Sequence, residues 1–272
     1  MCTRAEAFSS RTFCMGWAGR DFMLSNLPAP GLPQGIMVNV ICMKWGTKYG
    51  PEYVSRLRSM LTRHLARPHR FVCFTDDGTG VDPGVEIRPL PAMDLPPGKE
   101  RGWRKLSTFC SPLVDLTGPT LFIDLDVVIV DSIDCFFDAP GKFVIIRDWI
   151  KPDKTGNSSV YRFEAGAHPD ILEFFLRNID AVKREVRNEQ EYLTREMNRR
   201  GLTTYWPAEW CVSFKYICLP TFPLNLFKVP QKPAGARIVV FHGTPNPPDA
   251  ITGQPGLRRY VKPTPWVAEH WK

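Results

Sequence analysis

The sequence predicts an α/β fold: a mostly parallel central sheet flanked by helices, within a single domain. Three observations lead there. Short runs rich in Val, Ile and Phe recur from Met37 onward, apolar on successive residues, as in strands covered on both faces. Amphipathic stretches separate the first of these runs, and a strand–helix–strand succession closes as a right-handed unit with parallel strands. The 272 residues, 43% hydrophobic and 23% charged, are enough for one full core and lie well outside disordered composition.

Residues 1–36 show no strand or helix period and end in a Pro/Gly-rich stretch, Asn26 to Gly35, so a loosely structured extension is expected. The domain then runs over 37–245. Val38-Asn39-Val40-Ile41-Cys42 reads as the first strand. Pro51 opens a helix with Val54, Leu57, Leu61 and Leu65 on one face. Arg70 to Thr75 is the second strand and Val85-Glu86-Ile87 a short third, followed by a helix over about 103–116. The run Thr120 to Val130 reads as one buried parallel strand. Lys142–Arg147 and Ser158–Phe163 follow as strands, 169–186 and 189–199 as helices, and Ala236–His242 as the closing strand. From 246 to 272 a Pro-rich tail ends in Trp266 and Trp271, suited either to a membrane interface or to a helix packed on the core.

A balance of 35 basic against 28 acidic residues, net +7, favours anionic partners such as nucleotides or a lipid surface. Basic residues are dispersed, with only short clusters such as Arg199-Arg200 and Arg258-Arg259, which argues against a nucleic-acid arm. Eight cysteines form no C-x-x-C pair and several lie within strands, as reduced core residues of a cytoplasmic protein would. No apolar run spans a bilayer, so membrane contact is expected to be peripheral at most.

Asp124 and Asp126 interrupt the apolar run Thr120–Val130, where ionised side chains are costly unless paired or bound to a metal. At i and i+2 of an extended backbone they face the same side and can converge on one cation. His242, ending a strong strand and followed by Gly243, is a candidate third ligand. An imidazole beside two carboxylates favours manganese over magnesium, although magnesium remains compatible with the carboxylates. Lys105, in Gly102-Trp103-Arg104-Lys105-Leu106, is a candidate cation for donor phosphates or a carboxylate; Lys44 and Lys48 are others, and Tyr49 a candidate base-stacking ring.

Together these residues resemble the GT-A fold glycosyltransferases of the family-eight type, over about residues 37–245. The resemblance implies a manganese ion held by Asp124, Asp126 and His242 against a UDP-sugar, with Lys105 contacting the donor and Asp124, and Gly243 at the donor site. Asn157-Ser158-Ser159 is similar to the family's Asn-Ala-Gly segment, and Glu189-Gln190 to its Asp-Gln pair at the reaction centre, with Gln190 near the anomeric carbon of a retaining transfer. The implied partners are a nucleotide-sugar donor and a saccharide or lipid-linked acceptor. Trp206–Trp210 and Ser213-Phe214-Lys215 look like a site-forming segment, or alternatively aromatic packing. The family's Gly-x-x-Lys-Pro-Trp is replaced by Gly243-Thr244-Pro245-Asn246-Pro247.

Two alternatives compete. A haloacid-dehalogenase-like phosphatase would use Asp124 and Asp126, but such a motif belongs near the first strand and continues in Gly-Thr, whereas Val127-Val128 follow here. A non-enzymatic basic module binding nucleic acid or anionic membrane would be indifferent to both aspartates.

Overall fold

The computed structural model describes residues 36–151 and 153–272. Apart from Ile36, the expected extension lies outside the described residues. Strand β1 (Val38–Lys44) is buried along its whole length and pairs in parallel with β2 (His69–Thr75) on one side and β4 (Pro119–Ile123) on the other. Strand β3 (Glu86–Pro89) extends the parallel part beyond β2. On the far side of β4, β7 (Gly156–Glu164) and then β6 (Phe143–Arg147) pair antiparallel, and β8 (Thr203–Tyr205) closes the edge. The seven-stranded order is β3-β2-β1-β4-β7-β6-β8, mostly parallel as expected, with β7 alone running against its neighbours and β6 and β8 again parallel.

Helix α1 (Pro51–His64) forms as its sequence dictates. Proline opens it, Glu52 lies in the first turn and Arg63 in the last, and Val54, Leu57 and Leu61 are buried. In place of the expected helix 103–116 there is a shorter 3-10 helix, Trp103–Phe109, and Pro112, which cannot donate to a helical ladder, opposes its continuation. Three helices, α2 (Pro169–Arg177), α3 (Ile179–Glu185) and α4 (Glu189–Arg199), replace the expected two.

The apolar run Thr120–Val130 is not one strand. It leaves the main sheet after Ile123 and resumes as β5 (Val127–Ile129) in a second, three-stranded sheet with β10 (Ile238–Val240) and β9 (Cys211–Ser213). The expected closing strand is therefore the centre of this small sheet. Asp124 and Asp126 lie at the break between the two sheets: the Asp124 amide donates to Ser159 O at 2.8 Å and the Phe241 amide to Asp126 O at 2.9 Å. The backbone is thus saturated on either side of a point where side chains can turn outward.

Residues 246–272 are folded on the core. They carry α5 (Pro247–Thr252), with a capping box from Asn246 and Asp249, and α6 (Pro265–His270). Trp271 is buried, packed edge-on against Tyr53 with Arg56 over its ring, and Trp266 Nε1 donates to Pro230 O. Both tail tryptophans are thus packed on the folded domain. Among the described residues no helix is long and apolar enough to cross a membrane, and all six described cysteines are free.

Candidate active site

Strands β1 and β4 are neighbours and parallel, so the loops leaving their carboxyl ends face one another, the usual place for a ligand in such a sheet. Between them lies a cavity of about 600 Å3, lined by Trp45 to Tyr49 from the first loop, Asp124 to Asp126 from the second, and Arg101, Gly102 and Lys105. Lys105 Nζ is 2.7 Å from Asp124 Oδ2, with both side chains largely buried. The Tyr49 hydroxyl donates to Asp126 Oδ2 at 2.7 Å. Each carboxylate thus has its own partner, which is what allows two to lie so close together in a buried place.

The electrostatics follow from that crowding. Burial, then the neighbouring Asp124 charge, pushes the Asp126 carboxyl up to about 6 against the hydrogen bond from Tyr49. Burial and Asp126 hold the Tyr49 phenol well above its usual range, so it remains a donor. Burial opposes the Lys105 charge, yet Asp124 and Glu189 outweigh it and its pKa is raised. Glu189 is 3% exposed and does not line the cavity: burial lifts its carboxyl to about 7 despite Lys105, and among the described residues its Oε1 has no hydrogen-bond partner. It packs under Gly102, where an added Cβ would come within 2.8 Å of Oε2; with φ at 79°, Gly102 suits that spot on both counts.

A second cleft, also about 600 Å3, is lined by Asp148, Trp149, Asn157, Gln190, Tyr216 and His242 among others, and shares Arg101 with the first. Gln190, in the first turn of α4, points Nε2 at Asp148 Oδ2 at 3.4 Å, while Asn157 Oδ1 accepts from the Ser159 amide. His242 stacks on Trp149, ring centroids 5.2 Å apart, and its Nε2 is 2.7 Å from Ser213 Oγ. Burial, then Lys215, lowers its pKa, so the imidazole is neutral around pH 7.

The expected residues divide accordingly. Asp124, Asp126, Lys105 and Tyr49 line the first cavity; Asn157, Gln190 and His242 line the second. Lys44 lines neither: it is buried with Nζ on Asp77 O, because side chains alternate along β1 and its neighbours Met43 and Trp45 take the cavity face. Tyr49 is unavailable as an open stacking ring, since Lys48 lies over it and Tyr53 packs at 4.8 Å. Gly243 lines neither cavity; its φ of 84° suits a residue without Cβ. Trp206 is core packing, its Nε1 on Val160 O, whereas Ser213 belongs to the site through His242. Asp148 and Trp149 were not foreseen; the only signal available was an acid directly following a strand, Lys142–Arg147, a weaker cue than the interruption of an apolar run that marks Asp124.

Among the described residues no three His, Cys, Asp or Glu side chains converge as metal ligands. His242 is engaged with Ser213 in the second cleft and does not complete the aspartate pair here. The pair by itself fits a hard divalent cation: two carboxylates whose mutual repulsion burial amplifies, opening on a cavity where phosphate and water oxygens can fill the remaining positions. Without the imidazole, magnesium fits as well as manganese.

Sheet order, helix placement and the paired loops define a GT-A glycosyltransferase fold, as expected. Among solved structures, the chain is similar to the galactosyltransferase LgtC in complex with donor and acceptor sugar analogs, at a TM-score of 0.52 and 13% identity over 77% of this chain and 88% of that one. An active-site mutant of LgtC matches at the same TM-score and identity, over 77% and 89%. The apo-form glycosyltransferase GlyE of Streptococcus pneumoniae TIGR4 matches at 0.52 and 11%, over 78% of this chain and 56% of that one, so the chain spans little more than half of GlyE. No family model and no curated protein matches the chain. At these identities the likeness is one of fold. Neither the phosphatase nor the basic-module alternative finds support in it.

Proposed function

We propose that this chain is a glycosyltransferase that moves a hexose from a nucleotide diphosphate sugar, UDP-linked, to a saccharide or lipid-linked acceptor with retention of configuration. The observation that carries the reading is the carboxylate pair at the β4/β5 break, opening on one cavity that meets a second, polar cleft at Arg101. The first suits the nucleotide diphosphate, the second the sugar and acceptor. LgtC, of the same fold, is known with donor and acceptor sugar analogs bound together.

On this reading Asp124 and Asp126 would hold a divalent cation, which when bound supplies Lewis acidity that offsets charge on a departing diphosphate. Lys105 neutralises Asp124 and presents a second positive charge to the diphosphate. Tyr49 fixes Asp126 and, as a donor, keeps one of its oxygens ionic in character. Gln190, oriented by Asp148, lies at the sugar; its amide can hold a hydroxyl without competing as a base. His242 on Trp149 and Ser213 forms the far wall. The free thiols favour a reducing, cytoplasmic setting.

A thermal-shift screen of UDP, GDP, CMP and TDP sugars, each with and without manganese, tests the reading. A UDP-sugar is expected to raise the melting temperature only with metal, by mass action on the folded state. No shift with any donor would sink it.

A further inference from the structure

Beside the second cleft lies a smaller pocket of about 300 Å3, walled by Lys99, Arg101, Trp103, Asp180, Lys183 and Arg187 together with the Pro96-Pro97-Gly98 turn. Four cations face one carboxylate. Arg187 is paired with Glu191, but among the described residues Lys99, Arg101 and Lys183 form no ion pair. Lys183 Nζ lies 5.8 Å from the centroid of the Trp103 ring, which is itself buried, so one wall of the pocket is fixed. Arg101 holds a φ of 44°, a left-handed conformation uncommon for a residue with a Cβ, and its Nη1 donates to Arg187 O at 2.8 Å. That unfavourable backbone carries the guanidinium to the point where this pocket, the second cleft and the aspartate cavity all meet. Arg187 likewise lines both the pocket and the second cleft.

Lys99, Arg101 and Lys183, like charges gathered without a carboxylate partner, repel one another, and a concave, partly apolar setting strengthens their combined field. A ligand anion relieves that repulsion. A phosphate or carboxylate also accepts charge-assisted bonds from the two ammonium groups and from the guanidinium donors of Arg101 that Arg187 O leaves free, which a neutral hydroxyl does not match.

We propose that this pocket seats an anionic group, a phosphate or a carboxylate, carried by the acceptor sugar that occupies the adjoining cleft. The identity of that sugar as acceptor rests on the glycosyltransferase reading; the anion preference of the pocket does not. The nearest competitor is the donor diphosphate, whose cavity also touches Arg101.

Calorimetry with glucose, glucose 6-phosphate and glucuronate, on the full chain and on a Lys99→Ala/Lys183→Ala variant, separates these. Neither lysine belongs to the donor cavity or the transfer cleft. Glucose 6-phosphate, glucuronate or both should bind at least about tenfold more tightly than glucose, an advantage lost in the variant and weakened by salt, with manganese-dependent UDP affinity unchanged. Which of the two binds tells phosphate from carboxylate. Equal binding of all three sugars overturns the proposal, as does anion binding that the double variant leaves intact. A parallel loss of UDP affinity in the variant also overturns it, assigning the cations to the donor. Failure of UDP to bind the unaltered chain, with anion selectivity retained, would instead count against the transferase reading alone.

Discussion

The two large cavities meet at Arg101 yet are built by opposite means. On the aspartate side, charged groups are buried and paired one to one: Lys105 with Asp124, Tyr49 with Asp126, and Glu189 held beneath them. On the other side, side chains hold one another across loops by hydrogen bonds and ring stacking: Gln190 with Asp148, His242 with Ser213 and Trp149. The first arrangement stores electrostatic potential for a ligand that brings charge. The second keeps shape and hydrogen-bonding direction for a ligand that brings hydroxyls.

If that contrast is real, perturbing the charged side should move stability and donor binding, and perturbing the polar side should move turnover. The largest effect is expected at Glu189. Its carboxyl is raised from an ordinary 4.5 to about 7, so the folded state holds its proton more tightly than the unfolded chain does. That contribution is lost as pH rises from below the unfolded value through the folded one, and Glu189→Gln should therefore gain on wild type by about 3 kcal/mol between about pH 4.5 and pH 7 in urea melts. Next, Lys105→Met leaves Asp124 without its counter-charge; about 2 kcal/mol of stability and much of the UDP affinity should go together, read by urea melts and calorimetry.

Smaller effects fall on the polar side. Gln190→Ala should lower kcat by about tenfold while leaving UDP affinity unchanged, since its partner Asp148 lies away from the aspartate pair. Ser213→Ala removes the hydrogen bond between its hydroxyl and His242 Nε2, worth about 1 kcal/mol, so kcat/KM should fall by about fivefold in steady-state assays. Either variant abolishing UDP binding would erase the division between the two sides.

The same contrast explains what could be read from the sequence. Two acids inside an apolar run are conspicuous, because burial makes charge expensive, while the parallel strands around β4 were legible as apolar runs alternating with amphipathic stretches. The polar cleft draws on six segments spread along the chain, each with only ordinary residues, and Asp148 had no cue beyond following a strand. The division of Thr120–Val130 between two sheets was not legible either: an apolar run carries the same composition whether or not it changes sheets, and only the partners Ser159 and Phe241 fix where it turns. Lys44 misled because a lysine after a strand is cheaply assumed exposed, whereas here strand alternation buries it against Asp77. For the tail the sequence left two readings open, and the helix packed on the core is the one seen, with prolines that open α5 and α6 rather than prevent them.

If Asp124 and Asp126 form a metal-assisted nucleotide site, UDP binding must depend on both the metal and the carboxylates, which calorimetric titration of UDP, with and without manganese or magnesium, into the unaltered chain and into Asp126→Asn will show. Metal-dependent binding is expected in the former, weakened by about a hundredfold or more in the latter with the melting temperature preserved. UDP affinity indifferent to both metal and substitution would contradict it.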